Sequence, residues 1–319
     1  MRMHSEDALQ MAREAGFDAA ALLPAVAVAY RPNAEAARQG VTGDPRALLP
    51  QAKSVLVLAK RFVWFDAWPQ ECAGVSAFYL ASNQTYRAMK RLADDFRAQG
   101  ALVDDSQRVP AKRFAAMAGF GAQGRNTLLC SQQWGTCLTL QTLVSDVEPA
   151  ISALAPPSVD ETCGGCRRCV EACPTGALDG QGGLNPEKCL RAWQFSGKVM
   201  PEFLRKKNGM RLLGCEICQR VCPKNAGLPK TKPPADPFRL ERLLHFDKAA
   251  RMELGMLIGA NEARPARVLA QAALAAGNSG NDAYLPALNA LCAHENPVVA
   301  AHARWAAETL RAQARLIDV

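Results

Sequence analysis

Long apolar runs are absent from this chain of 319 residues. The apolar stretch at residues 55–59 is far shorter than the ~18 residues that a membrane-spanning helix requires. The N-terminal residues, MRMHSEDALQMAREAG, are charged and helix-patterned, and they lack the apolar centre of a secretory signal. We therefore expect no membrane span and a cytoplasmic location.

The composition excludes a disordered chain, because 49% of the residues are apolar. At this length the chain can form one large domain or two modest ones, each with a buried core. Cysteine, by contrast, is abundant: the chain has 12, which in a reducing compartment indicates a specific role. Eight lie between Cys163 and Cys222. We expect the other four to be small buried apolar residues: Cys72, Cys130, Cys137 and Cys292.

The eight clustered cysteines form two related motifs. The first has the spacing C-x2-C-x2-C-x3-C-P and comprises Cys163, Cys166, Cys169 and Cys173. The second has a longer first gap and comprises Cys189, Cys215, Cys218 and Cys222. This pattern is the signature of bacterial ferredoxins with two iron–sulfur clusters, in which the fourth cysteine of one motif ligates the cluster of the other. It predicts a first 4Fe-4S cluster on Cys163, Cys166, Cys169 and Cys222, and a second on Cys173, Cys189, Cys215 and Cys218.

Two other uses of these cysteines fit the spacing less well. A zinc site prefers two C-x2-C pairs and has no need of a third cysteine so close to the first two. A disulfide framework conflicts with the absence of a secretory signal. Two clusters in one chain indicate one-electron transfer, although the clusters alone do not identify the acceptor.

Helices and short strands alternate over the first half of the chain. Ser5 is expected to cap the first helix, and a second helix is predicted at 79–98 and a third from Pro110 to Gly119. Strands are predicted at 17–23, 54–59, 101–103, 127–130 and 136–145. Helices at 266–276, 283–292 and 297–312 follow the pattern of a short helical repeat. The expected organisation is an α/β domain (1–154), a double-cluster ferredoxin-like domain (155–230) and a HEAT-like helical region (231–319).

Positive charge is concentrated in one segment. Residues 186–252 contain 15 Lys and Arg against 6 Asp and Glu, a net charge of +9, whereas the rest of the chain has 23 against 24. The density is greatest at Arg205, Lys206, Lys207 and Arg211. Such a segment suits a polyanionic partner, but a solvated basic face explains the charge equally well.

The blocks around the cysteines, CGGCRRCVEACPTGAL and GMRLLGCEICQRVCPKN, are preceded by FAAMAGFGAQGRNTLL and WGTCLTLQTLVSD and followed by LAAGN and HARWAAETL. In this order they resemble the epoxyqueuosine reductase family, cobalamin-dependent enzymes of queuosine biosynthesis in tRNA. The resemblance extends over roughly residues 8–310. It implies that the α/β domain binds cobalamin.

The resemblance also implies an activity. The family removes the epoxide oxygen of a modified base at the wobble position of tRNA, with electrons passing through two clusters to cobalamin. An acid must supply a proton as the carbon–oxygen bond breaks. Relatives have an aspartate thirteen residues before an Ala-Gly pair, which corresponds here to Asp105 before Ala118. Asp105 is therefore expected to be the proton donor, with a raised pKa, and the neighbouring Asp104 to face away from the same pocket.

The resemblance places three cofactor contacts at Arg125, Asn126 and Gln194. Arg125 stands where relatives have lysine, and Gln194 stands where they often have threonine. The sequence lacks the D-x-H-x-x-G motif that supplies a histidine ligand in other cobalamin proteins. This absence agrees with the histidine-free cobalamin binding of the family.

The implied partners are the anticodon region of tRNA and an electron donor such as a flavodoxin or ferredoxin. Two alternative functions use the same cysteines. The chain could be an electron-transfer iron–sulfur protein that no longer binds cobalamin, or a cobalamin-dependent reductase of a small molecule. In the latter case the basic segment would be incidental.

Overall fold

The computed structural model describes residues 3–30, 34–153, 155–156 and 158–317. The chain forms two compact units. The first contains residues 1–62, 81–166 and 223–226, and the second contains residues 63–80, 167–222 and 227–319. Residue 154, at the predicted end of the α/β domain, lies outside the described residues. The division into three consecutive domains stays a prediction.

In chain order, the elements up to the cysteine motifs are α1 (Ser5–Glu14), β1 (Ala19–Pro24), α2 (Ala34–Arg38), β2 (Ser54–Arg61), β3 (Trp64–Phe65), β4 (Gly74–Val75), α3 (Ala77–Ala98), β5 (Val103–Asp104), α4 (Ala111–Met117), β6 (Ala122–Gln123), β7 (Leu129–Cys130) and β8 (Leu138–Ser145). The remaining elements are α5 (Val159–Cys163), α6 (Arg168–Glu171), α7 (Leu190–Phe195), α8 (Glu202–Asn208), β9 (Arg211–Leu213), α9 (Ile217–Arg220), β10 (Lys230–Thr231), α10 (Leu240–Leu244), α11 (Lys248–Ile258), α12 (Pro265–Ser279), α13 (Leu285–Leu291) and α14 (Pro297–Ile317).

The first unit is built on an antiparallel sheet with the strand order β1-β2-β8-β5. Successive side chains of β2 enter opposite faces of the sheet, as expected for a strand with a repeat of two. Leu56 packs with α1 and α3 on one face, whereas Val57 packs with α4 on the other. Because both faces are covered, β2 is apolar from Val55 to Ala59, which explains the run seen in the sequence. The predicted mixture of α and β structure is confirmed.

Most of the local predictions for this unit agree with the structure to within two residues. The helix predicted at 79–98 begins at Ala77, and the strands predicted at 17–23 and 54–59 lie within two residues of β1 and β2. The expected cap at Ser5 is wrong: His4 occupies the N-cap position of α1, and no side chain caps the helix. Two elements of this unit were not predicted: α2, and β6, which pairs with β7 in a two-stranded ribbon.

The second unit is mainly helical. Its largest core joins α10, α12 and α14 through buried residues such as Leu243, Ala272 and Ala307. The three C-terminal helices predicted from the sequence are α12, α13 and α14, and both α12 and α13 pack against α14. Short parallel pairs, β4 with β9 and β3 with β10, complete the unit.

No helix in the described part of the chain combines the length and the apolar character needed to cross a bilayer.

Candidate functional site

Four of the predicted cluster ligands converge within the second unit. The thiol of Cys218 interacts electrostatically with Cys215, Cys173 and Cys189, which are the other members of the predicted second set. Cys169, assigned to the first cluster, also acts on it. Burial, and then these neighbouring thiols, raise the pKa of Cys218 to about 12. Bound iron would offset this effect, because a metal ion stabilises the thiolate that it binds.

The turn after Cys173 presents backbone donors to its sulfur. The N–H of Ala177 lies 3.3 Å from the Cys173 sulfur. Burial by itself would raise the pKa of Cys173, but hydrogen bonds from the backbone of Thr175 and Ala177 outweigh it and lower the pKa. Backbone hydrogen bonds to ligand sulfurs are one of the means by which proteins tune iron–sulfur clusters.

Gln194 holds the loop that leads into Cys215. Its amide nitrogen donates to Asn208 Oδ1 at 2.9 Å and to the Gly214 carbonyl at 3.4 Å, and its Oε1 accepts from the Gly214 N–H at 2.6 Å. Gln194 is 2% exposed and Asn208 is fully buried. Gly214 has φ +90°, and a Cβ there would lie 2.6 Å from Ser76 Cβ, so the position requires glycine. Both donors of the Gln194 amide are thus used within the protein.

Of the first predicted ligand set, Cys163 and Cys166 belong to the first unit, and Cys169 and Cys222 belong to the second. Within the first unit, the backbone N–H of Arg125 points at the Cys163 sulfur, 3.5 Å away. The loop of residues 124–126, which carries two of the predicted cofactor contacts, therefore lies beside this ligand.

Gly124 allows this loop to approach closely. A Cβ at Gly124 would lie 2.7 Å from the sulfur of Cys130 and 3.6 Å from that of Cys163. The first distance is shorter than van der Waals contact, so any larger residue would displace the loop. Cys130 is 5% exposed, in agreement with its predicted role as a small buried residue.

The side chains of Arg125 and Asn126 are both buried. The Arg125 guanidinium donates to the carboxylate of Asp160 and, at 2.8 Å, to the carbonyl of Gly164. Asn126 Oδ1 accepts a hydrogen bond from the N–H of Leu128 at 3.2 Å. The Arg125 contacts tie its side chain to the start of the first cysteine motif, whereas the Asn126 contact stabilises the turn of its own loop.

Asp105 directly follows β5, and its carboxylate is paired with two cations of α3. One oxygen accepts a hydrogen bond from Lys90 and lies 3.2 Å from an Arg97 nitrogen. Burial acts to raise the pKa of Asp105, but the hydrogen bonds from Lys90 and Arg97 outweigh it, and the pKa is lowered. The expectation of a raised pKa is therefore wrong for this structure, because the fold brings Lys90 and Arg97 of α3 against Asp105.

The two adjacent carboxylates have different partners, as the extended backbone predicts. Asp104 accepts hydrogen bonds from the backbone N–H and the hydroxyl of Ser106, at 3.2 and 2.6 Å. The loop after Asp105 is anchored by Gln107, whose side chain bonds both the N–H and the carbonyl of Thr142 in β8. Gln107 has φ +60°, a conformation that costs energy for a non-glycine residue. Gln107 thus joins the loop that follows Asp105 to β8.

Residues outside the motifs mostly serve packing. Cys72 and Cys137 are buried as predicted, at 1% and 2% exposure, whereas Cys292 is only partly buried. His302, predicted to be a surface or packing residue, is 1% exposed; its Nε2 accepts from the N–H of Met200 and its Nδ1 lies 3.2 Å from the carbonyl of Ala270. Burial lowers the pKa of His302 to about 4. Among the described residues, no three Cys, His, Asp or Glu side chains surround a single metal-ion position.

The basic residues at 205–207 are not all available to bind a polyanion. Arg205 Nε donates to the carbonyl of Met200 at 2.7 Å, and its guanidinium lies 5.9 Å from the Trp305 ring centre. Lys206 and Lys207 are exposed near the end of α8. Arg205 therefore contributes to packing, whereas the two lysines present their charge to solvent.

Comparison with known proteins agrees with the cysteine pattern. Residues 162–225 match the family described as a 4Fe-4S double cluster binding domain. Over 239 residues the chain is 34% identical to an epoxyqueuosine reductase of Lactococcus garvieae, an alignment that covers 72% of this chain and 66% of the relative. Alignments to the Bacillus cereus and Bacillus subtilis proteins cover 56% and 50% of those relatives, so the chain spans about half to two thirds of these curated proteins.

Solved structures share the fold. An epoxyqueuosine reductase from Streptococcus thermophilus has a TM-score of 0.76 at 23% identity, over 96% of this chain and 90% of that one. A crystal structure of epoxyqueuosine reductase with an epoxyqueuosine-modified tRNA-Tyr stem loop has a TM-score of 0.74 at 22% identity, over 96% of this chain and 89% of that one.

Proposed function

The chain belongs to the epoxyqueuosine reductase family, and from this premise we propose that it reduces epoxyqueuosine to queuosine in tRNA, in the cytoplasm. The observation that carries the proposal is the match of residues 162–225 to a 4Fe-4S double cluster binding domain, within which Cys173, Cys189 and Cys215 lie near Cys218. It supports passage of single electrons through two 4Fe-4S clusters, supplied by a flavodoxin or ferredoxin. The crossed assignment of the eight cysteines given above is part of this proposal.

We propose that Arg125 and Asn126 hold cobalamin. Their loop fits an electron-accepting cofactor because it lies beside Cys163, a proposed ligand of the first cluster, with the backbone N–H of Arg125 pointing at the Cys163 sulfur. When bound, cobalamin would supply a reduced cobalt nucleophile. Gln194 fits a direct contact less well, since both of its amide donors are engaged, and it would act indirectly through the loop of Cys215.

Asp105 is the proposed proton donor to the oxygen that leaves the epoxide. In the ion pair with Lys90 and Arg97 it is a carboxylate, so donation requires that the bound substrate separate it from these cations or that it be reprotonated through Lys90. Catalytic contacts often form only in the substrate complex. Lys90→Gln is expected to raise the pKa of Asp105, and the pH profile of turnover should then extend to higher pH.

The C-terminal helices are proposed to form a short HEAT-like repeat, with α12 and α13 packed against α14. The anticodon region of tRNA is the proposed substrate, and an epoxyqueuosine reductase of this fold has been crystallised with a modified tRNA stem loop.

The activity is tested by deleting the gene in a strain with no second reductase and measuring tRNA nucleosides by mass spectrometry. We expect epoxyqueuosine to accumulate and queuosine to disappear. Complementation with the wild type should restore queuosine, whereas Asp105→Asn should not. Unchanged queuosine in the deletion strain would contradict the proposal and favour a reductase of a small molecule or an electron-transfer protein.

A further inference from the structure

The last turn of α8 carries an exposed basic face near loops that hold proposed ligands of the second cluster. Phe203 is 59% exposed, and Lys206 and Lys207 follow it by three and four residues, so the three side chains share one side of the helix. Arg211 lies next to them, because its Nη1 donates to the carbonyls of Lys207 and Asn208 at 3.3 and 2.9 Å. We call Phe203, Lys206, Lys207 and Arg211 the α8 face.

The α8 face is joined to loops that carry two ligands of the second cluster. Lys207 Nζ donates to the carbonyl of Pro174 at 2.8 Å, and Pro174 directly follows Cys173. Arg211 begins β9, the strand that leads into Cys215. A molecule that rests on this face is therefore next to the second cluster.

The positive charge of the α8 face is not neutralised by ion pairs with the described residues. In the part of the chain that the structure describes, no carboxylate forms an ion pair with Lys206, Lys207 or Arg211. Uncompensated surface charge attracts a partner of opposite sign and accelerates encounter. An exposed aromatic residue among such charges is a typical anchor of a protein interface.

We infer that the α8 face is the docking surface for an acidic iron–sulfur or flavin protein that delivers electrons to the second cluster. This inference rests on the proposed function, in which electrons enter from a protein donor. The first cluster is the one tied to the proposed cobalamin loop, through Cys163, which leaves the second cluster to receive electrons.

An RNA partner would also be attracted by the positive charge, and RNA binding at this face is one outcome of the test below. A donor protein only has to approach the second cluster, and the ligand loops of that cluster contact this face. The location of the face therefore favours an electron donor. In the transfer, the reduced centre of the donor loses one electron and the second cluster gains it; no atom is transferred.

The test uses the chain with both clusters reconstituted and a reduced, acidic 2Fe-2S ferredoxin as the probe. Lys206→Glu reverses the charge without touching the Lys207–Pro174 contact, and Lys248→Glu makes the same change at the exposed start of α11 as a control. Stopped-flow absorbance should show cluster reduction about tenfold slower in Lys206→Glu at low salt, with the difference lost at high salt. Lys248→Glu should match the wild type, and dithionite should reduce all three proteins alike.

Binding provides a readout independent of turnover. Calorimetry with oxidised ferredoxin should show weaker binding to Lys206→Glu and to Phe203→Ala, whereas affinity for a tRNA stem loop should not change. Unaltered ferredoxin binding and reduction in Lys206→Glu would overturn the inference. So would a loss of tRNA affinity with unaltered reduction by ferredoxin, which would make the face an RNA surface. Neither measurement requires reduction of epoxyqueuosine, so failure of the proposed activity would be recognised separately.

Discussion

Replacing Gln194 by methionine tests whether the buried amide positions a cluster ligand. Methionine has nearly the same length and volume but cannot form the hydrogen bonds to Asn208 and Gly214. The Asn208 Oδ1, the Gly214 N–H and the Gly214 carbonyl would then each lose one hydrogen bond in a buried site. Each such loss costs about 1–3 kcal/mol, and because the 3.4 Å contact is weak we expect about 3 kcal/mol in total.

The consequence for the cluster follows from the position of Gly214, one residue before Cys215. If the loop opens locally before iron is released, about 3 kcal/mol of lost stability makes opening about a hundredfold more frequent. Iron release from Gln194→Met to a chelator should therefore be about a hundredfold faster for one of the two clusters. Iron analysis would measure the total iron that is lost, and electron paramagnetic resonance of the reduced protein would show the loss of each of the two clusters.

Gln10→Met is the matched control, because Gln10 lies on the exposed side of α1 and bonds only to neighbours on that helix. It should release iron at the wild-type rate and unfold at the wild-type urea concentration. The reasoning is refuted if Gln194→Met also behaves as the wild type in both measurements.

Three further predictions concern single positions. Cys222→Ala should lose the first cluster and retain part of the iron, whereas Cys72→Ala should retain both clusters by iron analysis; the opposite pattern would overturn the ligand assignment. Asp105→Asn should keep clusters and cobalamin but lose most turnover, about a hundredfold or more, whereas Asp104→Asn should lose little; equal turnover would exclude Asp105 as the acid. The pKa of His302 is about 4 when folded, against 6.5 for an unperturbed histidine, so protonation favours the unfolded state. The free energy of unfolding is therefore highest above pH 6.5 and decreases as the pH falls towards 4. Between pH 7 and pH 5 the expected decrease is about 2 kcal/mol. Urea unfolding at pH 7 and pH 5 should show this decrease in the free energy of unfolding for the wild type and a smaller decrease for His302→Gln. An equal decrease in both proteins would contradict the lowered pKa of His302.

The sequence by itself determined features that depend on neighbours along the chain. The cysteine spacing predicts a double-cluster domain because short turns bring closely spaced thiolates to one side of a cluster, and residues 162–225 match that domain. The amphipathic spacing of residues 79–98 and the apolar run at 54–59 predicted α3 and β2, since burial on one or both faces leaves a periodic pattern. Segments of this kind can be predicted from their own residues.

Only the tertiary structure decided the pKa of Asp105 and the hydrogen bonds that hold the loop before Cys215. Asp105 was expected to have a raised pKa, yet the fold places Lys90 and Arg97 of α3 against it and lowers the pKa. Likewise, Gln194 holds Gly214, twenty residues further along the chain. The pKa of a carboxyl depends on charges within a few ångströms, and a buried amide depends on which backbone groups surround it. Neither set of neighbours follows from residue spacing, because folding brings them together from separate elements.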